Sequence, residues 1–388
     1  MMNANHGPAL TEKLRWSLPW LTRYPFWRAR ETFKRMTTEE VRPLHLIFVV
    51  ANHFEPCWNE QGMRLDWDTQ LARLDRWCEQ ASAIGSAVRD ADGTRFRHTN
   101  FYPAEQYHPR LLQRLAELQA DGLGEVEIHL HHGVEEPDTP ENLRRTLTEF
   151  RDVLVNEHRC LSRENESSEP KYAFVHGNLA LANSSGGRYC GVDSEMQVLA
   201  ETGCYADMTL PSAPDQSQVS RINAIYQCGH SQTEKAPHRS GPSIRVGMKE
   251  PQLPIIFTGP LVFNWHRRIR GFPIPLIDDG ALSASQPLDM ARLERWRSAR
   301  IHVEGRPDWL FIKLYCHGFF DFDQPSTIGE RIMRFWQEVI EHGERTGEYK
   351  IHFASAREAF NMVMAANDGR NGEPGAHRDY KLRQIMNS

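Results

Sequence analysis

Imidazole is the commonest protein metal ligand and the one side chain that titrates near neutral pH, and this chain carries 18 histidines in 388 residues. Some stand beside carboxylates or other histidines, His53 two residues before Glu55 and the run His129-Leu130-His131-His132, and others at expected strand ends, His176 before Gly177-Asn178 and His317 before Gly318. In an extended strand side chains alternate between faces, so His129 and His131 share one face about 6–7 Å apart while His132 points away or begins a loop. Two imidazoles so placed can share one divalent ion, completed by an oxygen or imidazole from a neighbouring strand. The plainer alternative is that His129 is a satisfied interior residue and only His131 is functional. Three histidines at one strand end favour metal or acid–base chemistry.

Other chemistries lack their signatures. The seven cysteines include no C-x-x-C pair, and none has the surroundings of a nucleophile. There is no G-x-S-x-G elbow, no G-x-G-x-x-G after the first strand and no phosphate-binding G-x-x-x-x-G-K-[ST]. A net charge of -5 gives no electrostatic footprint for nucleic acid. No apolar run approaches 18 residues and the amino terminus has no signal-peptide core, so a cytoplasmic protein is expected.

Positioning these residues requires a framework, and apolar periodicity supplies one. Strands are predicted at 44–50, 95–102, 125–132, 171–177, 205–210, 309–316 and 349–355. Helices are predicted at 67–87, from Pro109 to Gly122, from Thr139 to about 161, and over 193–202. Capping boxes, Thr327 with Glu330 and Ser355 with Glu358, start two more, running to about 340 and 366. The stretch from about 211 to 308 reads as a long irregular insertion with short strands, and 367–388 as a flexible tail. Residues 12–36 mix Trp16, Trp20, Tyr24, Phe26 and Trp27 with basic residues, so residues 1–40 form an aromatic, basic arm. The arm packs on the main domain or lies in an anionic membrane interface at the inner face, and Pro19 and Pro25 are expected to break any long helix there.

Strands alternating with helices imply an α/β fold, either a (β/α) barrel of seven to eight strands over 41–366 or a doubly wound sheet. In a barrel, catalytic groups gather at the carboxyl ends of strands. Those ends offer Asn52, His53 and Glu55; Tyr102 with Glu105 beyond; His129, His131 and His132; His176 and Asn178; and His317. Asp207 enters the fifth strand, as an inner polar residue or a substrate contact. Arg188, in a small-residue loop, is a candidate for meeting a substrate carboxylate or phosphate, and Trp265-His266-Arg267-Arg268 for stacking on a sugar.

Motif by motif, the chain resembles the polysaccharide deacetylase superfamily, the carbohydrate esterase 4 or NodB-like group, in a divergent form. Glu127-Ile128-His129-Leu130-His131 lies over the family's metal-imidazole motif, and Leu314-Tyr315-Cys316-His317 over its closing Leu-x-His with one extra residue. Val50-Ala51-Asn52-His53 stands where the family has Thr-Phe-Asp-Asp, and His176-Gly177-Asn178 replaces its Arg-x-Pro-Tyr. The resemblance implies a distorted NodB-like barrel and removal of N-acetyl groups from a glycan or lipid-linked saccharide with the help of a divalent ion, zinc being the one expected. It implies His53 and His131 as ligands, Glu135 or His129 as a third, Glu55 as base, His317 as proton donor and Asn178 as oxyanion donor. Asn52, Tyr102, His132, His176, Asp207 and Arg188 would then line the carbohydrate. Because an amide at 52 cannot act as a base, an inactive saccharide- or partner-binding barrel in exopolysaccharide assembly is the competing expectation. An amidohydrolase-type barrel is a further one, although it would carry its H-x-H on the first strand.

Overall fold

The computed structural model describes residues 9–37, 41–230, 234–265 and 268–387. One nine-stranded sheet organises them. Its strands are β1 Leu44–His53, β2 His98–Pro103, β3 Gly124–Leu130, β4 Tyr172–His176, β5 Cys204–Asp207, β6 Ile225–Gln227, β7 Ile255–Phe257, β8 Trp309–Cys316 and β9 Tyr349–Phe353. The order is β8-β1-β2-β3-β4-β5-β7-β6, with β9 beside the first half of β1 and β2 beside its second half. Pairing is parallel throughout except between β6 and β7. The longer helices are α1 Leu10–Leu21, α2 Tyr24–Thr37, α3 Trp67–Ala87, α4 Pro109–Ala120, α5 Pro140–Asn156, α6 Glu195–Thr202, α7 Met290–Ser298, α8 Glu330–Thr346 and α9 Ala356–Asn367.

Strand alternation sorts the core into two layers. Leu46, Phe48 and Val50 of β1 join Leu74 and Trp77 of α3 and Trp336 of α8 in an outer cluster. Ile47, Val49 and Ala51 face the other way, into an inner cluster with Val175 of β4, Phe257 of β7, Phe311 of β8 and Phe360 and Val363 of α9. The sheet curls enough that Phe257 meets Phe311 edge to face at 5.5 Å and Lys313 Nζ donates to the Met208 carbonyl at 2.8 Å. Among the described residues no hydrogen-bonded strand pair joins β8 to β6 or β7. The fold is a mixed α/β arrangement around a mostly parallel sheet.

Helix starts follow their sequence signals. Thr139 caps α5 by accepting from Asn142 N, with Pro140 in the first turn, where its missing N–H costs nothing. Ser355 and Glu358 form the expected capping box of α9. The Thr327–Glu330 box does not form, because Thr327 belongs to a preceding helical turn, Gln324–Thr327, and Gly329 caps α8. The expected insertion supplies β6 and β7 to the sheet and contains α7, whose N-cap Asp289 accepts from Arg292 N at 2.8 Å.

One terminal expectation is corrected. Residues 367–387 are docked: the buried Arg357 donates to the carbonyls of Arg378 and Leu382 and to Asp379, while Arg378 reaches Asp90 and Glu358. Polar side chains hold this segment because buried partners await them. In the arm, two short helices form, α1 with Pro19 inside it and α2 with Pro25 in its first turn, and no long helix runs through both prolines. Trp20 is 1% exposed and stacks on Phe263 at 5.6 Å, which Tyr24 also meets edge-on. The opposite side leaves Leu10, Leu14, Leu18, Phe26, Phe33 and Met36 exposed. No helix among the described residues is long and apolar enough to cross a membrane.

Candidate functional site

On β3 the outward residues Val126, Ile128 and Leu130 are apolar and join the outer core. The inward ones, Glu125, Glu127 and His129, are polar and buried. Lowest in this row, Glu125 pairs with Arg357 at 2.9 Å. Next, Glu127 accepts from the Tyr205 hydroxyl at 2.5 Å and from Ala173 N at 2.6 Å, and burial pushes its carboxyl up to about 8. His129 follows, and His131 ends the row at the rim. The His129 and His131 rings lie 4.6 Å apart, edge to face, on one side of the strand as period-two geometry requires.

β1 contributes the facing residues. His53 continues the inward parity of Ile47, Val49 and Ala51, and its ring lies 5.0 Å from His129 and 4.6 Å from His317 at the end of β8. Just beyond the strand, Glu55 Oε1 stands 3.2 Å from His129 Nε2 and 3.4 Å from His131 Nε2. One ligand atom from each of His53, Glu55 and His129 falls within 4.8 Å of the others.

The donor set fits a divalent cation. His129 Nδ1 gives its proton to the Val175 carbonyl at 2.7 Å, and His131 Nδ1 faces Glu105 Oε1 at 2.6 Å. In the neutral tautomers that these bonds select, both Nε2 lone pairs aim at a carboxylate oxygen, and acceptor facing acceptor calls for a proton or a cation between them. Glu55 supplies negative charge: burial would raise its carboxyl, but the His129 hydrogen bond and the neighbouring imidazoles outweigh it and hold it at about 2. Burial and the nearby rings of His317 and His129 push His53 well below the usual imidazole range, and burial also lowers His317. His131 is raised instead, because Glu105 and Glu55 outweigh its burial.

The structure thus brings together His53, Glu55, His129, His131 and His317 from the sequence-predicted set. The others lie elsewhere. Glu135 is exposed in the loop that turns away at Gly133, and the carboxylate among the rings is Glu55. Tyr102 is fully buried, with its hydroxyl donated to the Gln106 carbonyl at 2.9 Å. Asp207 is buried and accepts from the Thr209 hydroxyl and backbone N–H, with its carboxyl raised by burial to about 7. Arg188 is exposed and stacks over Tyr189. Asn178 is half-buried in the turn after β4, in a left-handed conformation with φ of 53°. His132 and His176 have outward parity and are buried on the helix side of the sheet, 4.7 Å apart, so they do not line the rim. His266 and Arg267 of the aromatic-basic patch lie outside the described residues.

Asn52 also has outward parity. Its Oδ1 accepts from Gly318 N at 2.9 Å and its Nδ2 donates to Asn100 Oδ1 at 3.1 Å, so it ties β1 to β2 and to the turn that carries His317. Gly318 is required there, because a Cβ would lie 2.2 Å from the Trp77 ring. Asn52→Asp is therefore expected to confer no base. It removes the donor to Asn100 and buries a carboxylate, costing about 1–3 kcal/mol in urea unfolding; a rise in hydrolytic activity would refute this placement.

Sequence reasoning missed several groups. Lys313, at 1% exposure, shares the inward face of β8 with Tyr315, whose hydroxyl donates to Asp279 at 2.6 Å; burial lowers the Lys313 ammonium to about 7. Alternation along 309–316 was the available signal, obscured because Lys and Tyr read as surface positions. Glu105 was visible as a strand-end carboxylate but not as the partner of His131.

No family model matches the chain, and no curated protein matches it. Among solved structures it is similar to a GH57 branching enzyme from the hyperthermophilic archaeon Thermococcus kodakaraensis, crystallised in complex with glucose. That alignment has 11% identity and a TM-score of 0.29, and covers 81% of this chain and 64% of the enzyme. The chain thus spans less than two thirds of that protein's length, and a likeness at this level bears on neither fold nor activity.

Proposed function

We propose that the chain is a metal-dependent hydrolase of the polysaccharide deacetylase type, on a distorted NodB-like (β/α) barrel, with His53, Glu55 and His129 holding one divalent cation such as Zn²⁺. The observation that carries this is the gathering of one ligand atom each from His53, Glu55 and His129 within 4.8 Å of one another, with His129 Nδ1 engaged by the Val175 carbonyl so that its Nε2 faces Glu55. A bound divalent ion polarises an amide carbonyl and acidifies a water. His131, oriented by Glu105 and partly open to solvent, takes the water proton in this reading. His317, on the far side of His53, donates to the departing amine. A saccharide amide suits the rim because His317, Phe320 and Phe322 stack in sequence, and Phe322 is 57% exposed, giving an aromatic ledge for a sugar face. The family's carboxylate at the first strand is replaced here by Glu55, two residues beyond His53. Asn52 no longer favours an inactive barrel, since its side chain faces the helix layer.

The test is acetate release from N-acetylated oligosaccharides by the purified full-length chain. Release should stop when a chelator strips the metal and return on adding Zn²⁺. Metal-loaded protein that frees no acetate from any N-acetylated sugar overturns the reading.

A further inference from the structure

Behind the rim, on the helix-covered side of the sheet, lies a second set of donors. His132 is 7% exposed, and His176, Cys190 and Glu195 are completely buried. One ligand atom from each falls within 4.8 Å of the other three. They come from four places: the end of β3, the end of β4, the loop before α6, and the first residue of α6. We propose that His132, His176, Cys190 and Glu195 form a closed structural zinc site, separate from the proposed catalytic centre.

The hydrogen bonds around the four residues favour this over a self-sufficient polar network. His132 Nδ1 faces Asp138 Oδ2 at 3.0 Å, and His176 Nδ1 donates to the Gly177 carbonyl. Each ring is thereby oriented through its Nδ1, and both Nε2 atoms point at the same oxygen, Glu195 Oε1, at 3.1 and 3.4 Å. Protonation can satisfy His132 between its two carboxylates. It leaves His176, whose Nε2 is buried without a hydrogen-bond partner; a second buried imidazolium against the one Glu195 carboxylate would carry a heavy desolvation cost. On the other flank, Cys190 Sγ lies 3.5 Å from Glu195 Oε2 and accepts from Val192 N at 3.4 Å.

A zinc ion would give the unpartnered His176 Nε2 a partner and replace the thiol contact of Cys190 to Glu195 with a thiolate bond. Two neutral imidazoles, one thiolate and one carboxylate make a tetrahedral set of no net charge around Zn²⁺, and mixed nitrogen–sulfur donors without an open position mark structural rather than catalytic zinc. Contrast a third histidine pair, at the opposite end of β1. There His45 Nδ1 meets His352 Nε2 at 2.9 Å and His352 Nδ1 meets Asp92 at 2.7 Å, so donors run head to tail and no cation is called for. The backbone around Cys190 is already drawn tight: a Cβ on Gly133 would lie 2.2 Å from the Cys190 carbonyl, and one on Gly177 would lie 2.5 Å from the His131 ring. A metal here would therefore brace the wall that carries His131.

Cysteine separates this site from the catalytic one, where none of the assembled residues carries sulfur. The full-length chain loaded with Co²⁺ should show thiolate-to-cobalt charge-transfer absorption, and its zinc form should show one sulfur neighbour at about 2.3 Å in X-ray absorption. Both readouts use the unaltered protein. Cys190→Ser should abolish the charge-transfer band and lose one equivalent of zinc, while His129→Ala should leave the band in place. Absence of sulfur ligation in the unaltered metal-loaded protein, or a band that survives Cys190→Ser, overturns the proposal. If the protein holds zinc only with sulfur ligation and releases no acetate, this site stands and the catalytic reading falls.

Discussion

Glu55→Ala is expected to lower acetate release by roughly 10³-fold, the scale lost when a group acting directly on the reacting atoms is removed. Among the described residues Glu55 is the carboxylate within reach of both His129 Nε2 and His131 Nε2, so its loss takes the carboxylate ligand from the proposed centre and weakens its hold on a divalent ion. Glu105→Ala provides the graded comparison. It frees the His131 ring to turn without touching the proposed ligands, and orienting partners of this kind are worth about 10–100-fold. The melting temperature of Glu55→Ala should stay near that of the metal-free parent, since its side chain is 17% exposed and ties no elements together beyond these rings. Steady-state kinetics with metal analysis decides the matter. Full activity with full metal content in Glu55→Ala would remove this cluster from catalysis.

How much of this site was legible depends on whether its geometry is local. The His129–His131 pairing follows from strand period alone, and it is found on one face with the rings 4.6 Å apart. The same alternation, carried from Leu46, Phe48 and Val50, places Asn52 outward; matching it to a family base position instead assigned it to the substrate. Glu135 came from family spacing and fails because the chain turns at Gly133, so the next residues run into solvent. His176 was read as a rim residue for want of the same parity step, and His132 was placed along the carbohydrate by the family resemblance although its parity already pointed it away. Cys190 and Glu195 left no trace at all, since their meeting depends on α6 packing across the sheet rather than on any spacing. The strand and helix sequence was legible from 44 to 210 and from 309 to 366, where apolar runs are long. Between these, short strands and turn residues hid that β6 and β7 extend the main sheet and that α7 exists.

That overlooked helix sets up the largest stability effect. Residues 292, 295 and 296 share one face of α7, and Asp278 meets all of them: Arg292 at 3.1 Å, Arg295 Nε at 3.0 Å and Trp296 Nε1 at 3.2 Å. Asp278 is 2% exposed and Arg292 is completely buried. Asp278→Ala therefore strands a buried guanidinium and should destabilise the fold by about 3–5 kcal/mol, read from urea unfolding at pH 7. Asp278→Asn, which keeps one acceptor, should cost less. Acid provides an internal check. Burial alone would raise the Asp278 carboxyl, but Arg292 and Arg295 outweigh it and hold it below the usual carboxylate range. A group depressed in the folded state contributes fully above its unfolded value, about 3.9 for aspartate, and loses that contribution as pH falls through the folded value. The gap between parent and Asp278→Ala should thus be constant from pH 7 to about 5 and close under stronger acid. A gap below 1 kcal/mol at neutral pH, or one that persists unchanged into strong acid, would show that Asp278 does not hold α7. The neighbouring Asp279 receives the Tyr315 hydroxyl, and the Tyr315 ring stands 6.2 Å from His53, so loosening this corner should also reduce hydrolysis. Such a loss would recover with added denaturant-protecting osmolyte, whereas the Glu55→Ala loss would not.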